Sequence, residues 1–453
     1  MSHCKTYLLS AWLIVLCLSQ LAFAQAVQPD FTELEKVIAA ELQATNTPGA
    51  AIAIVRGEQV IYAKGFGVSN VETNAPVTPD MLFRLGSTTK MFTAAALVQL
   101  AEQGKLKLDE PLGKYAKGLS PKIASLTANQ LLSHTSGLKD GATMFGKHDD
   151  EALGETVRAL KDDFFFAEPG RVYSYSNPGY WLAGYLIEAL SGKAYAEQLH
   201  EGLFQSLGMH RTTLRPTMAM TYPLAQGHEG APPKIIRPAA DNAGNWPAGS
   251  IFSSVQDLSR WTIAFMNGGK LDGKQLLSPS LIDVMSTPHA NLPGSALKYG
   301  YGLTLGTLRG VKLVEHSGSR SGFGSLIRMA PEQHIAIIIL VNKTGGSLNR
   351  TAEKATELLL PLAAKPESKP QPLPMTAAEM SKYVGVYGEA PNAITLSVKD
   401  GKLVRQLGGN EVPVIKLSEL RFAAGTAEFV LLPDADGNAE FLHAGGRTMK
   451  KQR

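Results

Sequence analysis

The sequence predicts an α/β (α+β) domain whose strands come from both of its ends, with a helical lobe between them and a small all-β module after it. Three observations carry this expectation. β-rich runs occur at Ala50 to Val55 and Gln59 to Lys64, and again far downstream at Lys312 to Glu315, Ser325 to Met329 and Ile335 to Val341. The stretch between them is mostly helical in pattern and broken by Gly and Pro. Beyond residue 364 a Pro- and Lys-rich spacer gives way to short clusters of β-formers separated by turns.

At ~100–200 residues per domain, 453 residues allow two or three folding units. Charged residues make up 19% and hydrophobic ones 44%, which excludes a mainly disordered or mainly membrane-embedded chain. The 44 basic and 40 acidic side chains leave a net charge of +4, and the basic tail Lys450-Lys451-Gln452-Arg453 is short, so nucleic acid is not an expected partner.

Residues 1–24 read as a signal peptide. Lys5 is their only charge, Tyr7 to Leu18 is an apolar run, and Ala22-Phe23-Ala24 is a small-x-small cleavage signature. The run falls short of the ~20 residues that span a bilayer, so the expected product is periplasmic or secreted, with no integral membrane segment after cleavage. Cys4 and Cys17 both lie in this segment, which leaves the mature chain without thiols or disulfides.

The main domain is expected over 25–363. Glu33 to Leu42 reads as a helix, the first two β runs form a hairpin around Arg56-Gly57-Glu58, Lys90 to Gln103 and Trp181 to Leu190 are helical, and Arg350 to Leu360 closes the domain. Residues 364–374 form the spacer. In 375–453 the expected strands are Tyr383 to Tyr387, Ile394 to Val398, Lys402 to Gln406, Glu411 to Ile415 and Glu428 to Leu432.

Ser87-Thr88-Thr89-Lys90 has a spacing that a helix converts into chemistry, because it places the amine one turn from the hydroxyl whose proton it can accept. The same pattern occurs at Ser2/Lys5, Ser136/Lys139 and Ser295/Lys298. Context separates them: Ser2 is removed with the leader, and Ser136-Gly137 and Pro293-Gly294 favour turns. Only Ser87 introduces an apolar helix, rich in Met91, Phe92, Ala95, Leu97, Val98 and Leu100. Near a helix N-terminus, backbone N–H groups favour negative charge developing at the serine.

Phe83-Arg84-Leu85-Gly86-Ser87-Thr88-Thr89-Lys90 resembles the nucleophile motif of the class C β-lactamase and penicillin-binding family of serine hydrolases. Leu131-Leu132-Ser133-His134-Thr135-Ser136-Gly137-Leu138 is similar to a stretch often found after that family's nucleophile helix, and the likeness runs from about Ala50 to Leu360. The resemblance implies a β-lactamase/transpeptidase-like fold with a central antiparallel sheet flanked by helices. It also implies an acyl-enzyme on Ser87 and no cofactor. A second family element is Tyr-x-Asn, matched only by Tyr175-Ser176-Asn177. There a phenolate near a lysine can act as base toward the serine and then protonate the leaving group, while the amide orients substrate.

The family's third element is a Lys/His-Ser/Thr-Gly triplet on the strand bordering the cleft. Lys343-Thr344-Gly345 lies at the far end of an outgoing strand, whereas His316-Ser317-Gly318 ends the Lys312 to Glu315 strand and runs into Ser319-Arg320-Ser321-Gly322-Phe323-Gly324, a stretch similar to the family's cleft strand. His316 and Gly318 are therefore the expected cleft residues. By the resemblance, the backbone N–H groups of Ser87 and Ser319 form the oxyanion hole. Imidazole is largely neutral above about pH 6.5, so a β-lactam carboxylate should bind poorly. The resemblance implies esters or D-configured peptides as substrates, since family members with histidine here are often esterases or peptidases.

His134, His200, His210 and His228 lack zinc-site spacing and are expected to pack or face solvent; no metal is implied. Asp257 reads as a helix-start cap. No Gly-x-Ser-x-Gly elbow is present, which argues against an α/β-hydrolase. Tyr383-Val384-Gly385-Val386-Tyr387 and Asp400-Gly401-Lys402-Leu403 resemble the lipocalin-like β-domains appended to some of these hydrolases. The expected activity is cleavage of an amide or ester in a small molecule or short peptide by esterase, D-peptidase or β-lactamase chemistry. The alternative is a weakly catalytic penicillin-binding or ligand-sensing protein. The sequence leaves the oligomeric state open.

Overall fold

The computed structural model describes residues 29–365 and 371–452. The leader with Cys4 and Cys17, positions 366–370 of the spacer, and Arg453 lie outside the described residues.

Helix α1 (Thr32–Thr45) leads into the hairpin β1 (Gly49–Arg56) and β2 (Gln59–Asn70). The chain then leaves the sheet for a lobe built around α2 (Thr89–Glu102), α3 (Asn177–Ser191) and α4 (Val255–Met266). It returns through β3 (Thr304–Leu308), β4 (Val311–Arg320), β5 (Phe323–Ala330) and β6 (Ile335–Val341) and ends in α5 (Asn349–Leu359). The main strands lie antiparallel in the order β3-β4-β5-β6-β1-β2, extended at both edges by short pieces to nine strands. Register runs from Ala50 opposite Val341 to Arg56 opposite Ile335, which zips the N-terminal hairpin onto the last strand.

β1 and β6 lie in mid-sheet, covered on both faces, so they read as continuous apolar runs rather than alternating ones. Ala51, Ala53, Val55, Ala336, Ile338 and Leu340 face the helical lobe, while Ala50, Ile52, Ile54, Ile337, Ile339 and Val341 face α1 and α5. Each fully buried isoleucine is worth about 1.5–3 kcal/mol.

Helix α2, entered at Ser87, is apolar nearly all round, as a helix at the centre of a lobe must be. Phe92 meets Trp261 of α4 with ring centroids 4.7 Å apart and Phe204 at 5.8 Å. α3 starts where Pro178 fits the first turn and stops at Gly192, whose φ of 71° ends it in the left-handed region.

After the spacer, Leu373 already donates its N–H to the Lys416 carbonyl. Helix α6 (Ala377–Tyr383) then precedes eight antiparallel strands: β7 (Gly385–Tyr387), β8 (Ile394–Lys399), β9 (Lys402–Leu407), β10 (Asn410–Lys416), β11 (Arg421–Ala424), β12 (Ala427–Pro433), β13 (Ala439–Ala444) and β14 (Arg447–Lys450). Tyr387 bridges to Lys451 and Gln452 donates to the Val386 carbonyl, so the sheet is a nearly closed barrel around Tyr387, Leu396, Leu403, Phe422, Phe429 and Leu442. Two expectations change here. Tyr383 ends a helix rather than opening a strand, because Thr376 caps that helix by accepting from the Glu379 N–H. Three strands were also not anticipated, at 421–424, 439–444 and 447–450. Among the described residues, no helix is long and apolar enough to cross a membrane.

Candidate active site

Ser87 sits in the 3-10 turn Gly86–Thr88 that opens α2. Gly86 has φ 57°, and a Cβ there would lie 2.7 Å from the Ser319 nitrogen. A Cβ on Gly318 would lie 2.0 Å from the Leu85 oxygen and 2.9 Å from the Ser87 nitrogen. Gly86 and Gly318 let β4 and the Ser87 turn approach this closely, and Ser87 and Ser319 line the same cleft. Ser325 Oγ, donating to the Leu85 carbonyl at 2.5 Å, ties β5 to the same turn.

Lys90 is fully buried. Its Nζ donates to the Ala248 carbonyl at 2.6 Å and to Asn177 Oδ1 at 2.8 Å, and lies 3.4 Å from Ser87 Oγ. Burial pushes the Lys90 pKa down to about 7, with Asp140 acting against it. An ammonium group has three protons to donate and a neutral amine two. With two committed to Ala248 and Asn177, what remains toward the Ser87 hydroxyl is the third proton of the ammonium or the lone pair of the neutral amine.

Tyr175 lies under that amine, 4.7 Å from Nζ to its ring centroid, and packs against His134 with centroids 4.2 Å apart and the rings tilted by 37°. Its hydroxyl is buried with no fully formed hydrogen bond among the described residues. Burial raises its pKa well above the usual tyrosine value, and the adjacent Ser87 hydroxyl is the main counterweight. Asn177 is held at both ends of its amide: Oδ1 accepts from Lys90, while Nδ2 and the backbone N–H donate to Asp140 Oδ1 at 3.0 and 2.8 Å.

His316 is buried at the foot of the cleft. The Ser176 N–H donates to His134 Nδ1 at 3.1 Å, which leaves the His134 proton on Nε2, 3.2 Å from Tyr299 Oη. Tyr299 then donates to His316 Nε2 at 2.9 Å, and His316 Nδ1 donates to the Ser317 carbonyl at 2.6 Å. Every ring proton in this chain is assigned and both His316 nitrogens are engaged. Burial first, and then the Lys90 charge, pushes the His316 pKa down to about 3, so it is neutral at physiological pH.

These groups line an open cleft of about 510 Å³ containing Ser87, Tyr175, Asn177, His316, Gly318 and Ser319. Its outer wall is Gly445, Gly446 and Arg447, from the turn between β13 and β14 of the barrel. The other Ser/Lys pairs are used elsewhere: Lys139 pairs with Glu389 and Lys298 with Asn291. Lys343 points away and donates to the Thr45 carbonyl. A second hollow of about 560 Å³ lies between β4–β6 and α5.

Four residues of the site were not singled out as functional: His134, Asp140, Tyr299 and Arg447. His134 was grouped with the packing histidines, and it does pack, but directly against Tyr175. Arg447 follows Gly445-Gly446, a hairpin signal between β-formers that could have located the turn. Asp140 and Tyr299 carry no local pattern. Asp257 accepts from the Arg211 N–H and the Thr212 hydroxyl, while Ser254 caps the helix instead. His228 is buried, with its Nδ1 beside the Asn342 carbonyl. Among the described residues, no group of three or more His, Cys, Asp or Glu could hold a metal ion.

Comparison with known families matches residues 34–360 to the family described as Beta-lactamase. The chain belongs to the Beta-lactamase family. Beta-lactamase-family chains are generally serine hydrolases. Among relatives, penicillin-binding protein 4 of Amycolatopsis lactamdurans is 28% identical over 372 residues, covering 76% of this chain and 95% of that protein. Protein flp of Staphylococcus aureus (strain N315) is 28% identical over 321 residues, covering 68% of this chain but 62% of flp, so the chain spans under two thirds of that relative. The octameric penicillin-binding protein homologue from Pyrococcus abyssi superposes with a TM-score of 0.65 at 27% identity, covering 93% of this chain and all of that one (100%). SurE superposes with a TM-score of 0.77 at 23% identity over 93% of this chain and 98% of that one, a likeness of fold.

Proposed function

We propose that this protein is an exported hydrolase that cleaves an amide or ester bond through an acyl-enzyme on Ser87. The observation that carries the proposal is the Lys90 amine, buried 3.4 Å from Ser87 Oγ with a pKa lowered to about 7. A general base works best with a pKa near the operating pH. As Ser87 Oγ attacks the carbonyl carbon, its proton passes to Lys90 Nζ and the carbonyl oxygen becomes an oxyanion between the Ser87 and Ser319 N–H groups. Collapse expels the amine or alcohol, which takes up a proton. Tyr175, kept protonated by burial, donates it and recovers a proton from Lys90. Water then attacks the acyl carbon by the same route and releases Ser87.

The neutral, fully engaged His316 favours esters and uncharged peptide ends over the carboxylate of a β-lactam. The leader-like residues 1–24 favour export. A chromogenic short-chain ester, a chromogenic cephalosporin and a D-Ala-D-Ala peptide, each given to the wild type and to Ser87→Ala, test the reading. The expected result is ester turnover above cephalosporin turnover, lost in Ser87→Ala. Turnover of all three substrates unchanged by that substitution would end the proposal. Export is checked by the mass of the protein recovered outside the cytoplasm, which should begin at Gln25.

A further inference from the structure

The barrel reaches the active site at one place, the turn between β13 and β14. Ala444 pairs with Arg447 across Gly445-Gly446, whose φ values of 56° and 79° make the tight two-residue turn that two glycines allow. The turn and β14 are bonded to the segment carrying Tyr175. The Tyr175 N–H donates to the Gly446 carbonyl at 2.9 Å, the Thr448 N–H to Ser174 Oγ at 3.0 Å, and the Thr448 hydroxyl to the Tyr173 carbonyl at 2.7 Å. Arg447 then reaches over the Tyr175 ring, 5.4 Å from its centroid, and places Nε and a terminal nitrogen each 2.6 Å from Asp140 Oδ2. The other oxygen of the same carboxylate holds Asn177, and Asn177 holds Lys90.

We propose that Arg447 is a positioning residue of the active site: by fixing Asp140 it fixes Asn177 and, through Asn177, the Lys90 amine, so that the C-terminal barrel is a working wall of the catalytic cleft. This rests on the Ser87–Lys90 reading given above. The contacts form an unbroken chain of four side chains, each donating in a definite direction: guanidinium to carboxylate, amide nitrogen to carboxylate, amine to amide oxygen. The groups that face Lys90 from the elements packed on it are Asn177, the Tyr175 and Tyr180 rings, the neutral His134 and His316, and the Asp140–Arg447 pair. That pair is the ionic part of the surroundings. Asp140 favours the Lys90 ammonium and Arg447 opposes it, in agreement with the geometry.

Arg447→Ala leaves the Asp140 carboxylate without its counter-charge, so Lys90 should hold its proton more tightly. Asp140→Asn should do the opposite, Arg447→Lys should retain most of the wild-type behaviour, and the double variant Asp140→Asn/Arg447→Ala should bring the Lys90 titration back near its wild-type position while kcat stays low. With a p-nitrophenyl ester as probe, the ascending limb of kcat/KM should move up by about 0.5–1 pH unit in Arg447→Ala. In that variant kcat at pH 7 should fall about tenfold, with KM little changed. The Lys90 titration, followed by NMR of the lysine side-chain signals and assigned with Lys90→Ala, should move in the same directions without reference to turnover. An unmoved limb and titration in Arg447→Ala would overturn the proposal. So would equal losses in Arg447→Ala and Arg447→Lys that follow a lower Tm, since these would mark a docking contact alone. Full turnover in Ser87→Ala would instead refute the hydrolase reading, and the NMR titration would still decide this one.

Discussion

The two walls of the cleft are built by different physics. The wall carrying Ser87 and Lys90 belongs to a helix buried in an apolar lobe, and close packing holds it: two glycines let β4 press against the nucleophile turn. The wall carrying Arg447 belongs to a hairpin of a separate barrel: its base packs Phe441 on Phe166, Ala167 and Val172 and pairs Glu440 with Arg171, while its tip is held by hydrogen bonds and the ion pair to Asp140, with the Arg447 side chain still 48% exposed. Packed surfaces resist displacement and transmit strain, whereas exposed polar contacts each contribute about 1 kcal/mol and respond to charge. Under the proposed mechanism, the difference puts the chemistry on the packed wall and its adjustment on the polar tip.

The comparison breaks most sharply at the reacting atoms. Ser87→Ala and Lys90→Met should each lower ester turnover by about 10³-fold or more. Lys90→Met should also raise Tm at pH 6, because it removes a buried amine that charges unfavourably there. A Lys90→Met variant within tenfold of wild type would place the base elsewhere.

The same change on the two walls should have unequal effects. Gly318→Ala drives a methyl to 2.0 Å from the Leu85 oxygen and should cost about 10²-fold in kcat/KM along with several degrees in Tm. Gly445→Ala meets nothing within 4 Å and is strained only by its φ of 56°, so about 1 kcal/mol of stability and a severalfold change in rate are expected. Equal effects in calorimetry and kinetics would erase the distinction.

Acid acts more strongly on the inner wall. The folded pKa of His316 lies near 3, below the ordinary 6.5, so its stability contribution is fully present above about pH 6.5 and is lost as pH falls toward 3. At pH 5 the loss is on the order of 2 kcal/mol for this residue. His134, shifted the same way by burial, adds to it. Tm should therefore drop between pH 7 and pH 5, less so in His316→Gln, and a flat Tm over that range would contradict neutral burial. The smallest effect is expected from Thr448→Val, which removes the bond to the Tyr173 carbonyl: about 1 kcal/mol and less than a tenfold loss in kcat.

What was legible in the sequence follows the same division. The helix entered at Ser87, the zipped strands and the Tyr175-Ser176-Asn177 segment could be read because each is a local pattern of apolar spacing or short motif. The family likeness over Ala50 to Leu360 agrees with the match over 34–360. Asp140, Tyr299 and Arg447 escaped because their roles depend on partners 37, 17 and 307 positions away in the chain. β13 and β14 escaped because Ala439–Ala444 and Arg447–Lys450 are short and mix Ala, His and basic residues with their β-formers. His316 was expected to face substrate. The structure places it at the cleft with its nitrogens turned to Tyr299 and Ser317, an arrangement that only the fold of Lys298–Tyr299 beside β3 creates.

The central claim is that burial turns Lys90 into a base for Ser87 at neutral pH. The burst of p-nitrophenol released from p-nitrophenyl acetate, measured against pH with intact-mass detection of the acetyl group on Ser87, tests it directly. A burst that is half-maximal near pH 7 and lost in Lys90→Ala is the predicted result. A burst with its midpoint near pH 10, the ordinary lysine range, or an acetyl group on another residue, would contradict it.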